Sequence, residues 1–219
     1  MKEFYYRIEY KFTSPFGYIE GSRYVTTISG DIIQEDENGE IIAIVGRIIL
    51  HLVLISLAQN NNYDLYEIFD EDAPLFEIGQ AIVDFEHGEI QEKIREYYNG
   101  EIVNSDVCVI ERLEILPPYR GNNLGKKILK DINNRFVSAC GLFVLKSFPL
   151  QFEMEGTENR EWNKQMKLDA LEKNEKTAVQ KLKRFYKSCG FETIPGISGN
   201  LMFVNPLKRN SKMDKIELE

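Results

Sequence analysis

Several residue patterns that mark common protein classes are missing from this 219-residue chain. Its three cysteines, Cys108, Cys140 and Cys189, are widely spaced and each sits in an apolar or helical context. They form neither a disulfide framework nor a metal-ligand spacing, which points to a reducing, cytoplasmic setting. The opening Met1-Lys-Glu-Phe-Tyr-Tyr-Arg has no apolar core of the signal-peptide kind. Positive charge is in deficit: 27 Lys and Arg against 35 Asp and Glu give a net charge of −8. That balance argues against a general grip on nucleic acid, while leaving room for a local basic patch. Neither GxxxxGK[ST] nor GxGxxG is present, so the chain has no P-loop and no Rossmann fingerprint. No His, Cys, Asp and Glu spacing indicates a metal site. Internal repeats and low-complexity linkers are also absent.

Long uncharged apolar runs are missing too. The nearest is 41–58, IIAIVGRIILHLVLISLA, almost long enough to cross a bilayer. Arg47 and His51 near its centre would be costly in hydrocarbon, and its wealth of Ile and Val favours a buried strand.

What is present is a globular balance, 43% hydrophobic and 28% charged residues. With no sharp break in composition, one domain is expected over 1–206, with a polar, frayed tail over 207–219. Alternation predicts a first strand over 4–12. A hairpin is expected from strands over 29–34 and 41–45, joined by Asn38-Gly39 in a type I′ turn. Its second arm should run on to about Ser56, with Gly46 at a bulge or bend. Asp72-Ala-Pro74 opens a helix carrying Leu75, Ile78, Ile82 and Phe85. Gly88 interrupts it, and Ile90, Ile94 and Tyr97 form a second stripe that Asn99-Gly100 closes. Further on come a strand over 142–146, a charged and mostly featureless stretch over 147–176, and a helix over 177–188. Short strands over 191–194 and 201–204 follow.

The most informative segment is 107–136, VCVIERLEILPPYRGNNLGKKILKDINNRF. It reads as a strand, a tight turn and an amphipathic helix. Alternation puts Glu111, Leu113 and Ile115 on one face of the strand and Arg112 and Glu114 on the other. Pro117-Pro118 stops the ladder. Gly121 and Gly125 free the backbone, and Asn122 and Asn123 tolerate left-handed geometry. Leu124, Ile128, Ile132 and Phe136 pack the helix at i, i+4 spacing. Such a turn aims backbone N–H groups and the positive end of a helix dipole at one point, which suits a phosphate. Arg120, Lys126 and Lys127 add positive charge around it. The plainer alternative is an ordinary strand–turn–helix connection with glycine as punctuation.

This segment resembles the acyl-CoA motif of the GNAT superfamily of N-acyltransferases. That motif is a strand of the form Leu-x-Val-x-Pro-x-Tyr followed by Arg/Gln-x-x-Gly-x-Gly/Ala at a helix start. Here stand Leu113-x-Ile115-x-Pro117-x-Tyr119 and then Arg120-Gly121-Asn122-Asn123-Leu124-Gly125. A second family signature, a helix ending in Phe-Tyr-x-x-x-Gly-Phe, is matched by Phe185-Tyr186-Lys187-Ser188-Cys189-Gly190-Phe191. The resemblance covers 107–204, about half of the chain. Asn123 replaces the middle glycine, the interval between the motifs is expanded by 147–176, and the expected helices follow the hairpin instead of the first strand.

The resemblance implies an α+β, sandwich-like fold. Its mixed, mostly antiparallel sheet would splay between the motif strand and the next, with helices on both faces. It further implies an acetyltransferase that uses acetyl-CoA as co-substrate and no metal. The backbone of Arg120, Gly121, Asn122, Asn123, Leu124, Gly125 and Lys126 would hold the CoA pyrophosphate. The pantetheine arm would pair with the strand carrying Leu113 and Ile115. Tyr186 matches the family's general acid, although a half-buried helix tyrosine is the bland alternative. Glu111 stands as a candidate general base or as a solvated or salt-bridged glutamate. His51 reads as a satisfied strand histidine and His87 as a surface residue at the helix break. Acceptor selectivity would come from the helices over 63–98, from 148–153 and from the charged insertion. There Asp70, Glu71, Asp72, Glu153 and Glu155 would favour a cationic amine unless they are simply a solvated face. The expected reaction is direct transfer of an acetyl group from acetyl-CoA to a primary amine of a small molecule or protein. The competing reading is a non-catalytic acyl-CoA-binding or protein-interaction module on the same fold. Neither nucleic acid nor membrane is an expected partner, and a homodimer stays open.

Overall fold

The computed structural model describes residues 4–12, 21–70, 72–153 and 160–218. Strands β1 (Tyr5–Phe12), β2 (Val25–Glu35) and β3 (Ile41–Val53) form an antiparallel meander. Helices α1 (Ile55–Asn60), α2 (Leu65–Phe69) and α3 (Ala73–Ile82) follow. A two-stranded ribbon, β4 (Val83–Asp84) with β5 (Glu89–Ile90), then leads to α4 (Glu92–Tyr97). The chain continues through β6 (Val107–Ile115), α5 (Leu124–Phe136), β7 (Leu142–Lys146), α6 (Arg160–Met166), α7 (Glu175–Ser188), β8 (Leu201–Val204) and α8 (Ser211–Asp214). Six of these strands make one sheet in the order β1-β2-β3-β6-β7-β8, antiparallel throughout except for the β6–β7 pair. The class is α+β.

Two apolar cores lie on opposite faces of this sheet. One joins Val53, Val107, Val109 and Val144 to residues of α1 to α4, among them Ile55, Ile68, Ile78 and Ile94. The other joins Ile48, Leu50, Cys108 and Ile110 to Leu124, Ile128, Leu129 and Ile132 of α5 and to Met213 of α8. The i, i+4 stripe read from the sequence is therefore the face by which α5 lies against the sheet. Asp72 caps α3 by accepting from the Leu75 amide at 3.0 Å, and Pro74 sits in the first turn, where a missing N–H costs nothing. The apolar run 41–58 is spent on β3 and the first turn of α1. Among the described residues no helix is long and apolar enough to cross a membrane.

Several expectations need correcting. The hairpin turn is not type I′: only Gly39, at φ +79°, has a positive φ there. Asp36 caps the loop instead, its Oδ1 accepting from the Asn38 and Glu40 amides at 2.9 and 3.0 Å. That side-chain bonding favours a longer 36–40 loop closed by one left-handed glycine. The bulge is where Gly46 suggested it. Ile32 pairs with Gly46 and Ile33 with Ile44, leaving Val45 unopposed. A Cβ on Gly46 would lie 2.4 Å from the Glu114 carbonyl oxygen, so β3 and β6 approach there as only glycine allows. Phe85 and Ile90 fall outside the helices, because Asp84 accepts from the Glu86 and His87 amides and turns the chain into the β4–β5 ribbon. The stretch 191–194 makes one bridge, Glu192 to Phe203, in place of a strand. The charged stretch over 147–176 is not featureless, since it carries α6. Nor is the tail frayed: Met213 and Ile216 are buried, and Lys130 Nζ donates to the Ile216 carbonyl at 2.5 Å.

Candidate functional site

The site starts from a mismatch in strand length. β6 and β7 pair in parallel only from Val107 with Leu142 to Ile110 with Leu145, yet β6 runs on to Ile115. Beyond Ile110 the two strands part. The Leu116 amide donates to Val45 O at 2.9 Å. The two-residue alternation of an antiparallel pair then turns the backbone groups of Leu113 and Ile115 away from β3 and into the gap. Past Pro117-Pro118 the chain turns into α5. Gly121 and Asn123 take φ of +84° and +60°, so Asn123 does adopt the left-handed conformation read for it. It starts α5 without a side-chain cap. The amides of residues 121–125 have no hydrogen-bond partner among the described residues. They stand at the positive end of a 13-residue helix, with Lys126 beside them and forming no ion pair among the described residues.

A cavity of about 450 Å³ occupies this gap. One wall is β6, from Ile110 to Ile115. A second is α7, through Ala178, Leu182, Phe185 and Tyr186, and Gly125 forms part of the floor. A Cβ on Gly125 would stand 3.0 Å from Phe185 Cζ and 3.3 Å from Ile115 Cδ1, so glycine lets α5, α7 and β6 meet. The two sequence signatures, sixty residues apart, thus share one cavity. The insertion supplies the remaining wall through Leu150, Met166, Leu168 and Leu171.

Arg120 joins the turn to that insertion. Its Nε donates to Ile115 O at 2.7 Å and its Nη2 to Met166 O at 2.8 Å. The sequence reading gave Arg120 a backbone role; its side chain adds a strut between β6 and α6. Trp162 of α6 donates Nε1–H to Glu114 Oε2 at 2.6 Å, and Arg47 lies 4.2 Å over its ring. Glu114 also accepts from Arg112 Nη1 at 2.9 Å, and Arg112 bonds Glu153 as well. Glu114 is therefore the insertion's buried anchor.

Tyr186 is half-buried on α7, its ring packed edge-on against Phe185 and Phe191. Burial, aided by the nearby Cys189 thiol, pushes the phenol up to about 12, so it is fully protonated at neutral pH.

Glu111 stands elsewhere than alternation predicts. Arg112 pairs with Ile49 and Ile110 with Leu50, which leaves Glu111 as the unopposed residue of a bulge in β6. Its carboxylate therefore does not share a face with Leu113 and Ile115. It joins His51, which pairs with Val109 on the opposite face. His51 Nε2 and Glu111 Oε2 are 2.7 Å apart, and His51 Nδ1 is 3.1 Å from Thr27 Oγ1. A carboxylate can only accept, so Nε2 carries the hydrogen; in the neutral imidazole Nδ1 then accepts from the threonine hydroxyl. The histidine bond holds the Glu111 carboxyl below its ordinary value, against burial that pushes it up. Glu111 still lines the cavity. The sequence reading placed His51 correctly as a bonded strand residue but did not find its partner. Only a register shift brings the two together, and nothing in the local pattern signals one.

The remaining candidates are accounted for structurally. His87 is exposed in the β4–β5 turn, 2.9 Å from Asp84. Asp72 is a helix cap, Asp70 ends α2, and Glu153 pairs with Arg112. Glu71 and Glu155 lie outside the described residues. Among those described, no group of three or more His, Cys, Asp or Glu could hold a metal ion.

Comparison with protein-family models, curated proteins and solved structures found no match.

Proposed function

We propose that this chain is a cytoplasmic GNAT-like N-acyltransferase that moves an acetyl group from acetyl-CoA to a primary amine by direct transfer. One observation carries the proposal. A single cavity joins the unpaired edge of β6, the uncapped N-terminus of α5 and the Tyr186 phenol. A long, flexible donor with an anionic head needs these three things in this order: amides for the pyrophosphate, a free strand edge for the amide-bearing arm, and a proton source at the thioester.

In this reading the amides of 121–125 and Lys126 hold the pyrophosphate. The Leu113 amide and carbonyl pair with the arm, since Arg120 already occupies the Ile115 carbonyl. Glu111 and His51 accept the proton that an ammonium must lose before it can attack. The amine nitrogen adds to the thioester carbonyl carbon, and a β6 backbone N–H facing the gap stabilises the developing oxyanion. The C–S bond breaks as Tyr186 gives its proton to the departing thiolate. Once the first proton has left the Glu111–His51 pair for solvent, the pair takes the surplus proton from the nitrogen of the tetrahedral intermediate, leaving the amide its one N–H, and solvent reprotonates Tyr186.

Titration calorimetry with acetyl-CoA, alongside thiol release over a panel of primary amines, tests this. Binding of acetyl-CoA together with amine-dependent release of CoA thiol is the expected result. Absence of acetyl-CoA binding overturns the reading; tight binding with no turnover on any amine reduces it to a binding module.

A further inference from the structure

The free edge of the sheet carries a second kind of information. Among the described residues β1 pairs only with β2, so the backbone groups on its other edge from Tyr6 to Phe12 meet no described strand. Natural edges of this kind are blunted or used. Here Phe4, Tyr6 and Phe12 are 47, 44 and 70% exposed, a cost without return on a strand that stays alone.

The sequence of this edge is a pseudo-palindrome about Ile8. Laid antiparallel to a copy of itself about a two-fold axis through Ile8, it sets Phe4 against Phe12 and Tyr6 against Tyr10. Arg7 then faces Glu9 on both sides of the axis, and Ile8 faces its own copy. A two-fold axis perpendicular to a sheet keeps each face continuous, so the alternatives are shifts of one residue on each strand. One shift sets Arg7 opposite Arg7. The other sets Glu9 opposite Glu9 and Arg7 opposite Lys11. Like charges directly opposite are destabilising, whereas aromatic and opposite-charge pairs are favourable. Only the Ile8-centred register sets aromatic against aromatic at 4/12 and 6/10 and opposite charges at 7/9, with Tyr5 opposite Lys11 and no like charges facing.

We propose that β1 is the interface for a second copy of this chain, joined antiparallel about Ile8 to make a continuous twelve-stranded sheet. The occupant is a second copy because the complementarity is internal to the strand: one sequence supplies both halves of each pair. Arg7 is already tied to Glu35 and Glu9 within its own chain, which holds it extended for the partner. A single ribbon of this length is at the small end of interface sizes, so the dimer should dissociate on dilution. The inference is independent of the proposed chemistry.

Sedimentation of the full chain over a concentration series gives the first test, with a rise from the 25.5 kDa monomer to twice that mass expected. Glu9→Arg and Arg7→Glu should each be monomeric alone, because each sets like charges across the axis. Mixed one to one they should dimerise, since arginines at 7 and 9 of one chain then face glutamates at 9 and 7 of the other. Cysteine placement reads the register. Directly opposed Cα atoms lie about 4.5–5.5 Å apart, within disulfide reach. The native cysteines are buried, so Ile8→Cys should cross-link to itself on oxidation and Glu9→Cys should not. A monomer at every concentration up to about 1 mM overturns the proposal. So does a dimer indifferent to both charge reversals, or one that cross-links through position 9 and not 8.

Discussion

Replacing Glu114 by Gln isolates the bond that fastens the insertion to the sheet. Glu114 is only 6% exposed and accepts from two donors, Trp162 Nε1 at 2.6 Å and Arg112 Nη1 at 2.9 Å. A glutamine has one carbonyl oxygen, so one donor must face an amide nitrogen. Losing a hydrogen bond to a charged group costs about 1.5–3 kcal/mol. Two other ties hold α6 down, the Arg47–Trp162 stacking and the Arg120 bond to Met166 O, so the helix stays docked on average. At about 1.4 kcal/mol per tenfold, the equilibrium constant for local opening should rise roughly 10- to 150-fold. Hydrogen exchange of the amides over 160–168 should accelerate by that factor while those of β7 keep their rates. Trp162 is the only tryptophan, so its emission should become more quenchable in parallel. Since Met166 and Leu168 wall the cavity, acetyl-CoA affinity should fall, and bound acetyl-CoA should slow the exchange. Unchanged exchange in α6, or equal acceleration throughout the chain, would refute the assignment of Glu114 as the insertion's anchor.

Other outcomes follow from the same geometry. Tyr186→Phe should leave acetyl-CoA binding intact and lower turnover by about 10²- to 10⁴-fold, the usual worth of a positioned proton donor, checked by steady-state thiol release. Asn123→Ala forces a Cβ residue with no compensating polar side chain into the left-handed region and should cost about 1–2 kcal/mol in urea unfolding. Asn123→Gly should cost far less, and equal losses for the two would dismiss the backbone argument. Gly46→Ala must push β6 from β3 at the Glu114 carbonyl, a clash with main chain that no rotamer relieves; at least about 1–3 kcal/mol should be lost. Glu111 is depressed in the folded state, so its contribution is fully present above the unfolded value near 4.5 and disappears as pH falls through the folded one. Glu111→Gln should therefore flatten the decline in stability below pH about 4.5, relative to wild type, in urea titrations at successive pH values.

What the sequence made legible was local. The Asp72-Ala-Pro74 start, the α5 stripe, the end of α7 at Gly190 and the left-handed Asn123 each depend on residues within a turn of one another, and each stands where it was read. The failures are of two other kinds. The 36–40 loop, the β4–β5 ribbon and α7's start at Asn174 are set by Asp and Asn side chains taking backbone amides, which compete with the simpler turn and period patterns. The α6 helix and the ordered tail depend on distant partners: Trp162 on Glu114, and Ile216 on Lys130. No window of sequence contains both members of either pair.

The bulge in β6 shows how far one unopposed residue can redirect a site. A strand's faces alternate with a period of two, so any insertion in the ladder exchanges them downstream. In β6, Glu111 is that insertion. Upstream of it, Ile110 packs toward α5 and Val109 toward α1 to α4. Downstream, Leu113 and Ile115 regain the α5 side although parity with Ile110 would deny it to them, and Glu111 and Arg112 are both released to the opposite face. Without the bulge, Glu111 would either sit with Leu113 and Ile115 against an apolar wall or drag them away from α5. With it, one short segment keeps its hydrophobic backing against α5, turns its Leu113 backbone into the gap, and presents a carboxylate to His51 across the sheet. Deleting Glu111 should therefore remove the carboxylate and the bulge together. The ladder then closes with Ile110 still opposite Leu50 and Arg112 opposite Ile49, so strict alternation keeps Leu113 and Ile115 on the α5 side and the unfolding midpoint in urea should stay near that of Glu111→Gln. If the deletion unfolds at a far lower urea midpoint than the substitution, Glu111 is not the extra residue and the face assignments must rest on something else.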